Sequence, residues 1–269
     1  MSHAGEECAT MVGVTMRTHW LCDLDGVLIK DDHAIDGAAS FLERLSETGK
    51  SYLVLTNNSL YSPEELHKRL ASMGLDVAPE LFWTSALATA RYVHDQRPGG
   101  SAFTIGESSM HEAMSDVGYH QNRTDPDYVV LGETQHYDFD EIALAVQLVE
   151  RGARFIATNP EPSGPSEHGS LPACGALAAL IERASGVSPY FVGKPNTLML
   201  REGLDTLGAH SGSAVMIGDR METDIHAGVE TGLATILVLS GETTEDDVAT
   251  FPYRPGRIVS GVSELIDEL

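Results

Sequence analysis

The sequence predicts an α/β fold: a doubly wound parallel sheet, Rossmann-like in its winding, with a second α/β segment inserted into it. Three observations predict this. Short apolar runs alternate with longer amphipathic stretches from one end to the other, the pattern of strands crossing over through helices. The 269 residues leave room for about two domains at roughly 150 residues each. The middle of the chain starts a fresh set of elements rather than continuing the first. Boundaries near residues 79 and 186 therefore divide a core, 1–78 plus 187–269, from an insertion, 79–186.

Trp20-Leu21-Cys22 is the first strand and runs into Asp23-Leu24-Asp25-Gly26. A helix follows over about 38–48, with Phe41, Leu42 and Leu45 on one face and Gly49 where helices commonly end. Tyr52 to Leu55 is a buried strand. Ser62-Pro63-Glu64-Glu65 has the capping-box spacing with Pro at the first helical position. The insertion reads as helix 86–94, strand 102–105, helix 107–115, strand 128–131, helix 140–151 and strand 155–157. Residues 158–172 lack periodicity, are rich in Pro, Gly and Ser, and read as a long structureless loop, a length usually tied to function. A small-residue helix over 174–184 closes the insertion. Strands 190–192, 214–217 and 235–239 then alternate with helices 197–207 and 224–231.

Hydrophobic residues make up 42%, enough for a core, while 40 acidic against 17 basic residues give a net charge of -23. Phosphate backbones and anionic bilayers are held by Lys and Arg, so the balance excludes a nucleic-acid polymer or a membrane surface as partner. No apolar run approaches the ~18 residues of a spanning helix. Met1 to Thr10 carry Glu6 and Glu7 where a secretion signal is basic and then apolar. Cys8, Cys22 and Cys174 form no CxxC pair, which fits a reducing compartment, and the predicted location is cytoplasmic.

The chemistry gathers at strand ends, where doubly wound sheets bind their ligands. Asp23 and Asp25 leave the first strand two residues apart and suit either a crevice or a simple Asp-Gly turn. Gly218-Asp219-Arg220-Met221-Glu222-Thr223-Asp224 leaves another strand, so a second acidic cluster reaches the same edge. Two unit charges ~4 Å apart repel by about 4 kcal/mol at an effective dielectric near 20. Carboxylates converging there need a cation, and thiolate-free oxygen ligation suits Mg²⁺. Thr56-Asn57-Asn58-Ser59 offers a hydroxyl and amides to anionic oxygens, or forms a polar turn. Lys194, one of only four lysines, sits between a strand and a helix start. A nucleophilic carboxylate, a metal site, a hydroxyl and a cation together fit phosphoryl transfer.

The ordered set Asp23-Leu24-Asp25-Gly26-Val27, Thr56-Asn57-Asn58, Lys194 and Gly218-Asp219 with Asp224 resembles the haloacid dehalogenase superfamily of phosphatases. Gly193-Lys194-Pro195-Asn196 and the stretch from Gly218 to Ile225 are similar to the signatures of its NagD-type, 4-nitrophenylphosphatase-like branch. Thr158-Asn159-Pro160 resembles the start of that branch's lid loop. The resemblance runs from about residue 18 to 240. It implies a core with an α/β cap, Asp23 as nucleophile and Mg²⁺ ligand, and Asp25 as general acid, then base, with its backbone carbonyl on the metal. It implies that Thr56 and Asn57 bind the phosphoryl group and that Lys194 orients the nucleophile. Asp219 is then a direct metal ligand and Asp224 an outer-shell one, while Asn58, Asn159 and Glu161 face the leaving group. Glu161 stands where the family often has Asp.

The implied activity is Mg²⁺-dependent hydrolysis of a small phosphate ester, nucleoside 5′-monophosphates first, with a homo-oligomer paired through the cap left open. A phosphomutase passes the phosphoryl group to a sugar hydroxyl instead; phosphosugars, phosphoglycolate and pyridoxal phosphate are the other ester classes. A signalling module that retains phosphate on an aspartate is the non-enzyme alternative, but it leaves the insertion unexplained. The sequence has no HExxH, no GxxxxGK[ST] and no GxGxxG after the first strand, and neither Ser109 nor Ser170 carries a serine-nucleophile motif.

Overall fold

A computed structural model of the chain describes residues 18–166 and 169–269; the readings made on Met1–Thr10, Cys8 included, lie outside the described residues. The chain forms two compact units. One holds residues 18–56, Pro63–Trp83 and Lys194–Leu269; the other holds Asn57–Ser62 and Thr84–Gly193.

The first unit is built on a six-stranded sheet in the order Arg257–Val259, Ala234–Val238, Ala214–Gly218, His19–Asp23, Ser51–Thr56, Phe82–Thr84. Every pairing from Arg257–Val259 to Ser51–Thr56 is parallel. The chain starts at His19–Asp23, winds outward to Phe82–Thr84, returns to Ala214–Gly218 and winds the other way. The winding therefore reverses between His19–Asp23 and Ala214–Gly218, the place where such sheets open a crevice at their carboxyl ends. Register aligns those ends: Cys22 opposes Ile217, and Asp23 opposes Leu55. The strands read as continuous apolar runs because helices cover the sheet. Phe41, Leu42 and Leu45 of the helix Ala38–Glu47 are buried as the periodicity predicts. Trp20 meets Phe41 edge-on at 5.9 Å, burial worth roughly 1.5–3 kcal/mol for an aromatic or large aliphatic side chain.

The second unit has its own five-stranded sheet, ordered Tyr190–Phe191, Arg154–Ala157, Tyr128–Leu131, Ser101–Ile105, His120–Gln121 and parallel throughout. The helices Phe139–Glu150 and Cys174–Ser185 pack on it through Ala145, Leu148, Leu177 and Ile181, against Val129, Leu131 and Phe155. Asp138 caps the first of these helices, accepting from the amides of Asp140 and Glu141.

Two readings are corrected. Residues 158–172 are not structureless: Ser163–Ser166 and Gly169–Pro172 pair as an antiparallel ribbon, Ser163 opposite Pro172. Gly169–Pro172 are all exposed, so that strand buries no alternating face and leaves no period-two signal. The helix read over 224–231 starts earlier, in a wide π-type turn over Met221–Ile225 that leads into His226–Thr231. The tail beyond Gly241 supplies the edge strand Arg257–Val259. Cys22 and Cys174 are free and buried. Among the described residues no helix is long and apolar enough to cross a membrane.

Candidate active site

Asp23 ends its strand at the switch point, and Asp219 directly follows the neighbouring strand Ala214–Gly218. Asp224 closes the π-type turn over the same edge, its Oδ2 accepting from the Arg220 amide at 3.1 Å. One oxygen from each of the three carboxylates lies within 4.8 Å of the others. Asp23, Asp219 and Asp224 are 7%, 2% and 0% exposed. Lys194, itself 2% exposed, reaches between two of them, with its Nζ 2.7 Å from Asp23 Oδ1 and 2.7 Å from Asp224 Oδ1. Thr56 is buried at the end of the adjacent strand.

Two of the three buried carboxylates thus share one ammonium. Burial works to lower the Lys194 pKa, but Asp224 and Asp23 together overcome it and hold the ammonium protonated. The strain falls on the acids. Burial, then Asp224, pushes Asp23 well above the ordinary carboxylate range, with Lys194 pulling the other way. Burial and Asp224 push Asp219 up to about 7.

Asp219 is gripped by a segment that the sequence reading passed over. Its Oδ2 accepts from the Glu242 amide at 2.8 Å, and its carbonyl accepts from the Thr243 amide at 3.2 Å. A Cβ on Gly241 would lie 1.9 Å from that Oδ2, and one on Gly26, a residue at φ 76°, 2.4 Å from it. Both glycines are needed for close approach to the carboxylate. Gly241→Ala is therefore expected to displace Asp219 or its loop, cutting kcat by about 10²-fold, as misplacing a reacting group by ~1 Å does. Steady-state kinetics together with Mg²⁺ titration of the melting temperature check this; unchanged values for both would count against the clamp.

The other oxygen of Asp219, Oδ1, is buried and has no hydrogen-bond partner among the described residues. An orphaned carboxylate oxygen is costly unless something binds it. An oxygen donor set beside two more carboxylates fits a hard divalent cation. The fit yields a prediction with a definite sign. A carboxyl raised in the folded state makes that state bind protons more tightly than the unfolded chain does. The contribution of these carboxyls to metal-free stability therefore falls as pH rises from about 4 to about 7, by up to about 4 kcal/mol for a rise of the size seen at Asp219. Mg²⁺ should reverse the loss, most strongly at the alkaline end. Thermal melts in chelator across that range test it, and a melting temperature flat in pH and indifferent to Mg²⁺ contradicts it.

Asp25 does not join the three carboxylates. The chain turns sharply after Leu24, whose carbonyl accepts from the amides of Leu28 and Ile29, and Asp25 keeps an opening to solvent. Protein nonetheless crowds its carboxyl, and this desolvation raises it, opposed by the positive fields of Arg69, Lys194 and Arg220. Arg69 also holds the Asp31 carbonyl at 3.0 Å and Asp32 Oδ1 at 3.1 Å, and Arg220 pairs with Glu242 at 2.8 Å. Neither arginine was read from the sequence.

In the second unit the predicted residues tie to one another. Asn57 Nδ2 donates to Glu161 Oε1 at 3.3 Å, and Asn159 Nδ2 donates to the Asn57 carbonyl at 2.9 Å. Asn159 Oδ1 accepts from the Glu161 amide, and Ser85 Oγ donates to the Asn57 carbonyl. Asn58 Oδ1 accepts from the Leu60 amide at 2.9 Å, the polar turn that its sequence also allowed. Glu133, missed in the sequence, exchanges reciprocal bonds with Ser59: amide to carboxylate and amide to hydroxyl, both 2.9 Å. Glu133 lies just past the strand Tyr128–Leu131 and Gly241 just past Ala234–Val238, so the strand-end rule that found Asp219 marks them both.

A doubly wound sheet carrying a strand-end aspartate, a buried lysine and two further aspartates defines a class. Family models described as haloacid dehalogenase-like hydrolase and HAD-hydrolase-like match residues 20–120 and 191–265, the second extending the resemblance well past residue 240. The chain belongs to this family and is a phosphatase within it. It is 46% identical to dihydroxyacetone phosphatase of Corynebacterium glutamicum over 254 residues, 94% of this chain and 92% of that one. It is 42% identical to the ribonucleotide monophosphatase NagD of Escherichia coli over 91% of this chain and 96% of that one. The solved NagD structure superposes with a TM-score of 0.89 over 93% of this chain and 98% of that one, at 40% identity. An acid sugar phosphatase of Staphylococcus aureus is 38% identical over 93% of this chain and 97% of that one.

Proposed function

We propose that the protein is a cytoplasmic, Mg²⁺-dependent phosphomonoesterase that hydrolyses small hydroxylated phosphate esters through an aspartyl-phosphate on Asp23. The observation that carries this reading is the buried trio of carboxylates, two of them paired with Lys194, with one Asp219 oxygen unpartnered among the described residues. Asp23, Asp219 and the backbone carbonyl of Asp25 would hold the ion, with Asp224 behind them. When bound, Mg²⁺ supplies positive charge that offsets the carboxylates and the phosphoryl oxygens.

The chain's own groups do the rest. An Asp23 oxygen attacks phosphorus as the ester oxygen departs, and that oxygen takes the proton of the Asp25 carboxyl. Burial raises the Asp25 carboxyl above its ordinary range, which favours the protonated form that this step uses. Asp25, now a carboxylate, takes a proton from water as the water oxygen attacks the aspartyl-phosphate, releasing phosphate and restoring Asp23. Lys194 holds the Asp23 carboxylate in one orientation. Thr56 and Asn57 hold the phosphoryl oxygens, and Asn58, Asn159 and Glu161 bear on the leaving group.

Asp25→Asn keeps the size and the backbone carbonyl but has no proton to give. Turnover is expected to fall by about 10²–10⁴-fold while Mg²⁺ affinity is retained. Near-normal turnover at equal affinity refutes the assignment.

The relatives are named dihydroxyacetone phosphatase, ribonucleotide monophosphatase and acid sugar phosphatase, which supports a small polyhydroxylated ester, nucleoside 5′-monophosphates and triose phosphates foremost. The test is a phosphate-release panel over nucleotides, triose and hexose phosphates, phosphoglycolate and pyridoxal phosphate, with Mg²⁺ and with chelator. Many turnovers on at least one ester, abolished by chelator and restored by Mg²⁺, are expected. Release that ignores the metal, a single trapped equivalent of phosphate, or isomerisation without phosphate release overturns the proposal.

A further inference from the structure

The second unit carries a groove of about 740 Å³ that no step above uses. Its volume falls in the usual range for small-molecule sites. Tyr128 opens the strand Tyr128–Leu131, Arg154 opens Arg154–Ala157, and Tyr190 opens Tyr190–Phe191, with Tyr128 opposite Arg154 in register. The groove thus lies at the amino ends of these parallel strands. Thr158, Asn159 and Gly193 follow their carboxyl ends, so the groove and the predicted substrate residues are at opposite ends of one sheet.

Its lining carries two cationic side chains. In a chain of net charge -23, two of the 13 arginines line this one groove. Arg97 is half exposed and is held at 3.0 Å by Asp127, whose other oxygen accepts from the Ser101 amide. The Arg154 guanidinium has no carboxylate partner among the described residues and lies over the Tyr128 ring, 5.5 Å from its centroid. The carboxyl end of the helix Ser85–Gln96 points its carbonyls this way, which would repel an anion. That end is capped, because the Tyr119 hydroxyl lies 2.7 Å from the carbonyls of both Val93 and Arg97. Tyr92 stacks on Tyr190 at 5.1 Å and 23°, and Tyr190, 42% exposed, lines the same groove as the two arginines.

From this juxtaposition we propose that the groove binds a small anion bearing a planar ring, a nucleoside phosphate by chemical class. The phosphate sits on Arg154 and Arg97, where the forked planar donors match its oxygens, and the base lies on the open face of the tyrosine pair. This site is separate from phosphoryl transfer and does not depend on the catalytic reading.

Calorimetric titration of the full chain with ADP, in chelator and at low salt, tests the proposal. Without metal the carboxylate trio repels phosphate, so any binding reports on a site elsewhere. The expected result is saturable one-to-one binding that survives Asp23→Asn and weakens at least about tenfold in Arg154→Ala and in Tyr190→Ala. High salt should weaken it as well. Inorganic phosphate should bind at least about tenfold more weakly than ADP, since stacking is worth roughly 1–3 kcal/mol per base. Both truncated side chains are exposed, and unchanged turnover of 4-nitrophenyl phosphate with Mg²⁺ verifies that the variants are folded. No saturable binding, binding lost in Asp23→Asn but kept in Arg154→Ala, or phosphate binding as tightly as ADP would each overturn the proposal.

Discussion

Asp23→Asn is expected to lower kcat by at least about 10⁴-fold, the scale on which enzymes lose activity when the attacking group is removed. The amide cannot attack phosphorus. It does retain an oxygen that can accept from Lys194 Nζ, now 2.7 Å from the carboxylate. It also removes one negative charge from three that burial holds within 4.8 Å of one another. The metal-free variant should therefore melt no lower than the parent, which separates a chemical loss from an unfolded protein. Acid-quenched rapid-mixing experiments supply the second readout: a phosphorylated protein trapped from the parent and none from the variant. Trapped phosphoprotein in Asp23→Asn would move the nucleophile elsewhere.

Lys194→Ala should have the largest effect on stability. Its ammonium is the partner of two carboxylates at 2.7 Å, one of them wholly buried. Removing one member of a buried ion pair leaves the other charge uncompensated, at a cost of about 3–5 kcal/mol. Chemical denaturation in the absence of metal measures that cost. Much of it should return when Asp23→Asn is added, because the uncompensated charge then shrinks; the double-mutant cycle isolates that coupling. A loss below about 1 kcal/mol, or simple additivity with Asp23→Asn, would mean that the lysine is not what balances the site. Turnover of Lys194→Ala should fall as well, since the nucleophile loses the contact that orients it.

The residues that carry these predictions could be read from the chain because a single rule applies to them. In a parallel sheet, polar residues that directly follow an apolar run must emerge at the carboxyl edge, so Asp23, Thr56 and Asp219 converge whatever the helices do. Asp224 and Lys194 sit a few residues into the next elements and remain at that edge. Asp25 shows where the rule stops. It is two residues from Asp23, yet it stays outside the group of three carboxylates, its carboxyl raised by burial against the positive fields of Arg69, Lys194 and Arg220. Contacts from distant segments leave no such mark. Arg69 lies in the helix Pro63–Ser72, and nothing in its sequence surroundings ties it to Asp31 and Asp32.

By itself the sequence determined the doubly wound architecture and the identity of the charged residues at its switch point. Both follow from local information: apolar period, strand length and what comes next. Tertiary structure alone decided how those charges are borne. The amides of Glu242 and Thr243 grip Asp219, and Gly241 and Gly26 leave room for its carboxylate. These groups are backbone N–H and empty space, which every residue or any glycine could offer, so no side-chain pattern announces them. The ribbon of Ser163–Ser166 with Gly169–Pro172 and the arginine–tyrosine groove were likewise decided by folding. The strand Gly169–Pro172 is exposed throughout, and the groove's side chains come from elements far apart in the chain.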